Sequence, residues 1–251
     1  MQRVARLSLL VVLTLSLVLT GCATVKQLSK TPARALKIQD YVYYHNVSIT
    51  YDGNHYFTIN GGNTDYCRIN EYSKNGKFLK SYDLGIDGRT IFFNPNDGEL
   101  YAKVYGDEIY MLDLEGNGTM PKLGHIFDED NSSPGISPNG KFFYELSDGE
   151  ITVFDAKTGK AQKSFRIDKY HDEHAYNLSV AASQKHLFVW GGEDKIIAYD
   201  LNGKYVSAIT LSRSGYPFSL SYCNDMLWIS NDADASTEGG YGYWYGYRLY
   251  Q

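Results

Sequence analysis

The sequence has few long apolar stretches of helical periodicity, only 6 prolines and only 3 cysteines among its 251 residues. The first scarcity argues against a helical protein, which needs apolar residues recurring every three to four positions. Three cysteines permit one disulfide at most. Basic charge is also short where a nucleic-acid binder needs it. The net charge is −5, yet Arg3, Arg6, Lys26, Lys30, Arg34 and Lys37 all precede residue 39 with no acid among them, so residues 39–251 carry −11. A body that acidic repels phosphate backbones, which excludes nucleic acid as a partner; the same charge also keeps a protein soluble. What is plentiful is tyrosine, at 23, and glycine, at 24. Aromatics and turn residues without helical runs suit an all-β protein, and the roughly 210 residues after the N-terminus fit one domain.

The N-terminus reads as an address. Arg3 and Arg6 precede Leu7–Leu19, which is mostly Leu and Val. That length suits the apolar part of an export signal and is short for a membrane span. It runs into Leu19-Thr20-Gly21-Cys22, with a small residue before the thiol. Order and spacing resemble the lipobox of bacterial lipoproteins. The resemblance implies cleavage after Gly21 and a diacylglycerol on Cys22. Several acyl chains anchor a protein stably where one does not. Ala23, rather than Asp, follows the cysteine, which in this family implies the outer membrane of the cell envelope. Residues 1–21 are then a signal peptide, 22–33 a lipidated tether and 34–251 the folded domain. The tether's basic residues would be drawn to anionic lipid headgroups.

The domain repeats itself. Ser137–Ile167 reads as three short strands, with type I′ turn signals at Asn139-Gly140 and Asp148-Gly149 and a further turn at Lys157–Lys160. Equivalent first turns fall at Asp52-Gly53, Asp97-Gly98, Gln184-Lys185 and Asn224-Asp225. Third strands end at Tyr72-Ser73, Leu112-Asp113, Phe154-Asp155 and Tyr199-Asp200, each soon followed by a Gly turn. A period of about 40–45 residues with four strands per unit is the signature of a β-propeller. The unit around Ser137–Lys141 and Val153–Asp155 resembles WD40-like and other bacterial propeller repeats, although the Gly-His and Trp-Asp signatures of WD40 are missing. Five units are expected. The last has three strands, and one period back from Phe78–Leu84 lies Ala33–Gln39. The expectation is a five-bladed propeller whose ring is closed by an N-terminal strand in the last blade.

On that plan one face collects the long connections, and binding groups tend to lie on loops held by a rigid scaffold. The candidate binding residues there are Arg89, Arg213, Tyr216, Asp232, Asp234, Tyr241 and Trp244. The loop 232–242 is the one large insertion in the repeat, and its aromatics suit protein or sugar surfaces. Plain packing between blades is the competing reading for the strand aromatics. Metal signals are weak. Asp232, Asp234, Ser236 and Glu238 approach the oxygen spacing of a calcium loop but lack its turn glycine and its distant bidentate Glu. Asp128 and Asp130, and His171 and His174, form polar loops that read equally as solvated surface. No cofactor is expected beyond the lipid on Cys22, with calcium the only ion approached.

Nor is there a constellation for catalysis. Glycoside hydrolysis, found among five-bladed propellers, needs a pair of carboxylates. The expected inner strands Val47–Tyr51, Thr90–Asn94, 134–138, Leu178–Ala182 and Phe218–Tyr222 contain no Asp or Glu, only hydroxyls that would line a channel. Cys67 and Cys223 fall near opposite faces, so two buried, unpaired thiols are expected. The leading function is therefore an envelope lipoprotein whose propeller is a non-catalytic scaffold for a protein partner. A carbohydrate- or metal-dependent binding module is the alternative, and an enzyme using loop residues a third.

Overall fold

The computed structural model describes residues 27–42, 45–62, 67–170, 179–192, 194–231 and 240–251. Cys22, His171, His174, Asp232 and Asp234 lie outside the described residues. Five separate four-stranded antiparallel sheets form the blades of a five-bladed β-propeller.

The first strand in the chain, β1 (Arg34–Val42), belongs to the last blade. The first blade is β2 (His45–Tyr51), β3 (His55–Gly61), β4 (Ile69–Ser73) and β5 (Phe78–Tyr82). The second is β6 (Gly88–Asn94), β7 (Glu99–Val104), β8 (Ile109–Asp113) and β9 (Gly118–Leu123). The third is β10 (Gly135–Ile136), β11 (Phe142–Ser147), β12 (Glu150–Asp155) and β13 (Ala161–Arg166). The fourth is β14 (Ala181–Ala182), β15 (His186–Trp190), β16 (Lys195–Asp200) and β17 (Tyr205–Thr210). The fifth is β18 (Ser221–Cys223), β19 (Met226–Asn231) and β20 (Gly240–Tyr247), completed on its outside by β1. Closure by the N-terminal strand is thus as expected, in a register that pairs Lys37 with Tyr245, Ile38 with Trp244 and Tyr41 with Tyr241. The body also takes in part of the stretch expected as tether. Gln27 and Ser29 bond to Gln251 and Leu249, and Lys30 accepts from the Thr210 amide.

Turn chemistry explains most strand ends. Asp148 (φ 44°) and Gly149 (φ 73°) are both left-handed, as a type I′ turn requires. Asn139-Gly140 departs from expectation, because only Gly140 is left-handed. There the Ser137 hydroxyl accepts from the amides of Lys141 and Phe142, and the Gly140 amide bonds to the Ser137 carbonyl. The serine side chain thus builds a longer loop than the dipeptide alone would make.

Each blade is apolar on both faces. Among the described residues the core divides into five clusters, one in each gap between neighbouring blades. Phe92, Tyr101 and Ile109 meet Phe127, Phe143 and Phe154 between the second and third blades. Ile38, Trp228 and Trp244 of the last blade meet Ile49, Tyr56 and Tyr72 of the first. No single blade could bury these faces alone, which is why the unit is found only in a ring.

Around the axis, hydroxyls join strands of different sheets. Ser221 accepts from the Ile49 amide at 3.2 Å, and Thr50 accepts from the Phe93 amide at 3.1 Å. Ser133 donates to the Arg89 carbonyl at 2.7 Å, and Thr90 to the Pro134 carbonyl at 3.2 Å. Thr50 and Ser221 are among the hydroxyls expected to line a channel; the structure engages them between blades. The inner strands of the third and fourth blades are shorter than expected for a related reason. Their backbones meet at a parallel bridge, Ser133 with Ser179, so close that a Cβ on Gly135 would come within 2.6 Å of the Val180 carbonyl oxygen.

Cys67 and Cys223 form no disulfide, as expected. Cys67 is buried, but Cys223 is only half-buried because it borders the axial opening. Its thiol is nonetheless pushed up by burial.

The first and second blades approach glycine to glycine. A Cβ on Gly61 would lie 2.3 Å from the Gly88 carbonyl oxygen, whereas one on Gly118 meets nothing within 4 Å. Gly61→Ala should therefore cost about 1–3 kcal/mol of stability by overpacking. Gly118→Ala should be neutral or stabilising by under about 1 kcal/mol. Urea unfolding of the two variants checks the contrast.

Candidate functional surfaces

The faces of the ring differ in their connections. One carries the loops joining each blade to the next together with the connections between second and third strands, and the other carries the remaining turns inside blades.

On the loop face the expected binding residues do not converge. Arg89 is 8% exposed and forms an ion pair with Asp87 at 2.6 Å, its guanidinium 5.2 Å from the Tyr105 ring. Arg213 is exposed and lies 5.4 Å over Tyr245. Tyr216 stacks on His45 at 4.5 Å and touches Phe218. Trp244 corrects the sequence reading: it is 0% exposed, packed against Ile38 and Tyr72, and its indole N–H donates to Asp40. Strand alternation turns it inward, away from any ligand. Tyr241 is 44% exposed and stands 5.0 Å from Tyr41, which is equally exposed.

A buried charged pair that the sequence reading missed shapes the 128–132 loop. Lys103, 0% exposed, donates to the carbonyls of Glu129 at 3.1 Å and Asp130 at 2.6 Å. Glu145, 1% exposed, accepts from the amides of Asp128 and Glu129 and from the Ser132 hydroxyl. The cation holds the loop's carbonyls and the carboxylate its amides, so the backbone is gripped through both halves of its hydrogen-bonding capacity. The Asp128 and Asp130 side chains remain exposed. Among the described residues no cluster of three His, Cys, Asp or Glu could hold a metal ion. The signal available in sequence was a charge at an inward position of an apolar strand, as in Leu100–Val104 and Phe143–Leu146.

The tight-turn face, not the loop face, carries a cavity of 690 Å³ to which all five blades contribute. It opens where the axis meets the turns that follow the inner strands. Its wall has two halves. Thr50, Tyr51, Phe93, Pro95, Ile136 and Pro138, from the first three blades, make one that is mainly apolar. Lys185, Asn224, Asp225, Arg248 and Tyr250, from the last two, make one that is charged and polar. Tyr250 is fixed in place: its hydroxyl meets the Ser183 hydroxyl at 2.7 Å and His186 Nδ1 at 2.8 Å. Burial holds His186 below the usual imidazole range. Among the described residues the side chains of Lys185, Arg248 and Asp225 have no ion-pair partner.

No protein-family model and no curated protein matches this chain. Solved structures do. One is the tail fiber of Staphylococcus aureus phage P68, with a TM-score of 0.59 and 16% sequence identity. The alignment covers 88% of this chain and 52% of that one, so this chain spans about half its length. At that identity the likeness shows the fold alone. In all, 1105 solved chains match, so the architecture is too widely used to select a function.

Burial lowers Lys103 to about 7, with Glu145 opposing the shift. An unfolded lysine titrates near 10.4. Between those values the unfolded chain holds a proton that the folded one has released, so stability rises with pH. Urea titrations from pH 7.5 to 9.5 should show a slope of up to about 1.4 kcal/mol per pH unit that disappears in Lys103→Met.

Proposed function

We propose that the chain is a lipid-anchored protein of the bacterial cell envelope whose propeller is a non-catalytic scaffold for a protein partner. The observation that carries the scaffold reading is where apolar surface is left uncovered. Tyr41, Phe78, Leu79 and Tyr241 are each at least 40% exposed. The Tyr41 ring stands 5.5 Å from Phe78 and 5.0 Å from Tyr241, so the outer strands of the last and first blades share one patch. Contiguous exposed aromatics mark interaction surfaces. Lys37, Lys77 and Lys80 on or beside the same strands supply a polar rim. Tyr241 is the one sequence-derived binding candidate in this group. The buried acids Asp40 and Glu145 are committed to structural hydrogen bonds, which supports a non-catalytic role.

The anchor follows from the lipobox resemblance at Cys22. Five residues lie between Cys22 and the pinned Leu28, and a chain from Cys22 to Gln27 spans at most about 18 Å. Leu28 pairs with Tyr250 at the rim of the cavity. A lipid on Cys22 would hold the tight-turn face toward the membrane and leave the loop face turned away.

An alkyne fatty acid fed to cells should label the wild-type chain and not Cys22→Ala; label that survives the substitution contradicts the anchor. A photo-crosslinking residue at Leu79 should give envelope-protein adducts that Tyr41→Ser with Tyr241→Ser removes. Equal adducts from Gln162, on the outer strand of the third blade, would contradict the patch.

A further inference from the structure

We propose that the axial cavity on the tight-turn face is a binding site for a small amphipathic anion, a ring-bearing molecule with one carboxylate, sulfonate or phosphate. Neither the anchor nor the wall patch is needed for this reading.

Size comes first. A volume of 690 Å³ lies within the usual range for sites that take small molecules. The wall then restricts the chemistry. Phe93, Pro95, Ile136 and Pro138 offer flat or compact apolar surface to a ring. Across the opening stand Lys185 and Arg248, with Asp225 the only acid on the wall. The lining is thus net positive by one charge on a body that is otherwise strongly acidic. The two cations have no ion-pair partner among the described residues, so a ligand need not break an existing pair to reach them. Arg248 can take one anionic group through two parallel N–H donors, and Lys185 can add a third. Asp225 opposes a polyanion and offers an acceptor to a hydroxyl on the ligand.

The wall is also pre-formed, which limits the ordering cost of binding. The hydroxyls of Ser137, Ser183 and Thr50 are engaged with backbone amides, and Tyr250 is held between Ser183 and His186. The two halves come from different blades, so the ring sets their separation. An anion of this kind could come from solution or from a lipid headgroup, since Leu28 brings the N-terminal segment to the same rim.

The test is calorimetric titration of the full chain, in a nonionic detergent, with 1-naphthyl phosphate. Binding should weaken at least tenfold for inorganic phosphate, which has no ring, and for 1-naphthol, which has no anion. Lys185→Gln with Arg248→Gln should weaken 1-naphthyl phosphate at least tenfold while leaving the urea midpoint unchanged. Competition by soluble dihexanoyl phosphatidylglycerol would assign the anion to a lipid headgroup; 1-naphthyl phosphate binding without that competition would assign it to a free molecule. Absence of 1-naphthyl phosphate binding, equal binding of inorganic phosphate, or affinity untouched by the double substitution would each overturn the proposal. Cys22→Ala should bind as the wild type does, so a failed lipid-labelling experiment leaves this result standing.

Discussion

The ring depends on one carboxylate. Asp40 sits on the strand that closes the propeller, is 0% exposed, and gathers donors from both blades at the joint. Asn70 and Tyr72 reach it from the first blade at 2.7 and 2.5 Å, and Trp244 from the last at 2.9 Å. Burial pushes its pKa up, while the hydrogen bonds from Tyr72, Trp244 and Asn70 pull it back. The same contact pushes the Tyr72 phenol up, burial being the larger cause and the carboxylate the next. A buried acid with this many donors is an all-or-none feature: complete, it fixes a geometry; broken, it strands several polar groups away from water.

Everything else at the joint follows from its being held shut. The cluster of Ile38, Trp228 and Trp244 against Ile49, Tyr56 and Tyr72 exists only while the first strand lies on the last blade. So does the exposed group of Tyr41, Tyr241 and Phe78, whose members come from the two ends of the chain and the first blade. Closure also covers the edge of β20 and leaves β1 as the outer strand of that blade, as β5, β9, β13 and β17 are in the others. The inter-blade hydroxyls then act as secondary fastenings at three junctions, fifth to first, first to second and second to third, with isolated hydrogen bonds rather than a ladder. Because the ring is fixed, its two faces can differ: long loops on one, a rigid two-sided cavity on the other.

Much of the fold was legible because its causes are local. Asp148-Gly149 adopts the turn its residues favour, and the strand ends at Tyr72-Ser73, Leu112-Asp113, Phe154-Asp155 and Tyr199-Asp200 fall where the repeat puts them. Closure was legible because a fixed period and a missing strand leave one place to look. The site was less so. Asp40 meets partners 30 and 204 residues away, a coincidence that no pattern of nearby residues encodes. The cavity was hidden for a similar reason: the repeat marks Lys185 and Asp225 only as turn residues, and Arg248 follows the last strand, so nothing in the pattern brings the three together. Trp244 and Tyr241 look alike as aromatics in one strand, yet their parity sends one into the core and leaves the other at the surface.

The most direct test of closure through Asp40 is amide hydrogen exchange in Asp40→Asn. The substitution conserves size but replaces a two-oxygen acceptor with one oxygen and an N–H₂ group facing existing donors. If the carboxylate fastens the ring, amides of residues 34–42 and 240–247 lose protection first and by at least tenfold. Blades two to four should keep theirs under the same conditions. Unchanged protection in the closing strand, or a uniform loss across all five blades, would contradict the account.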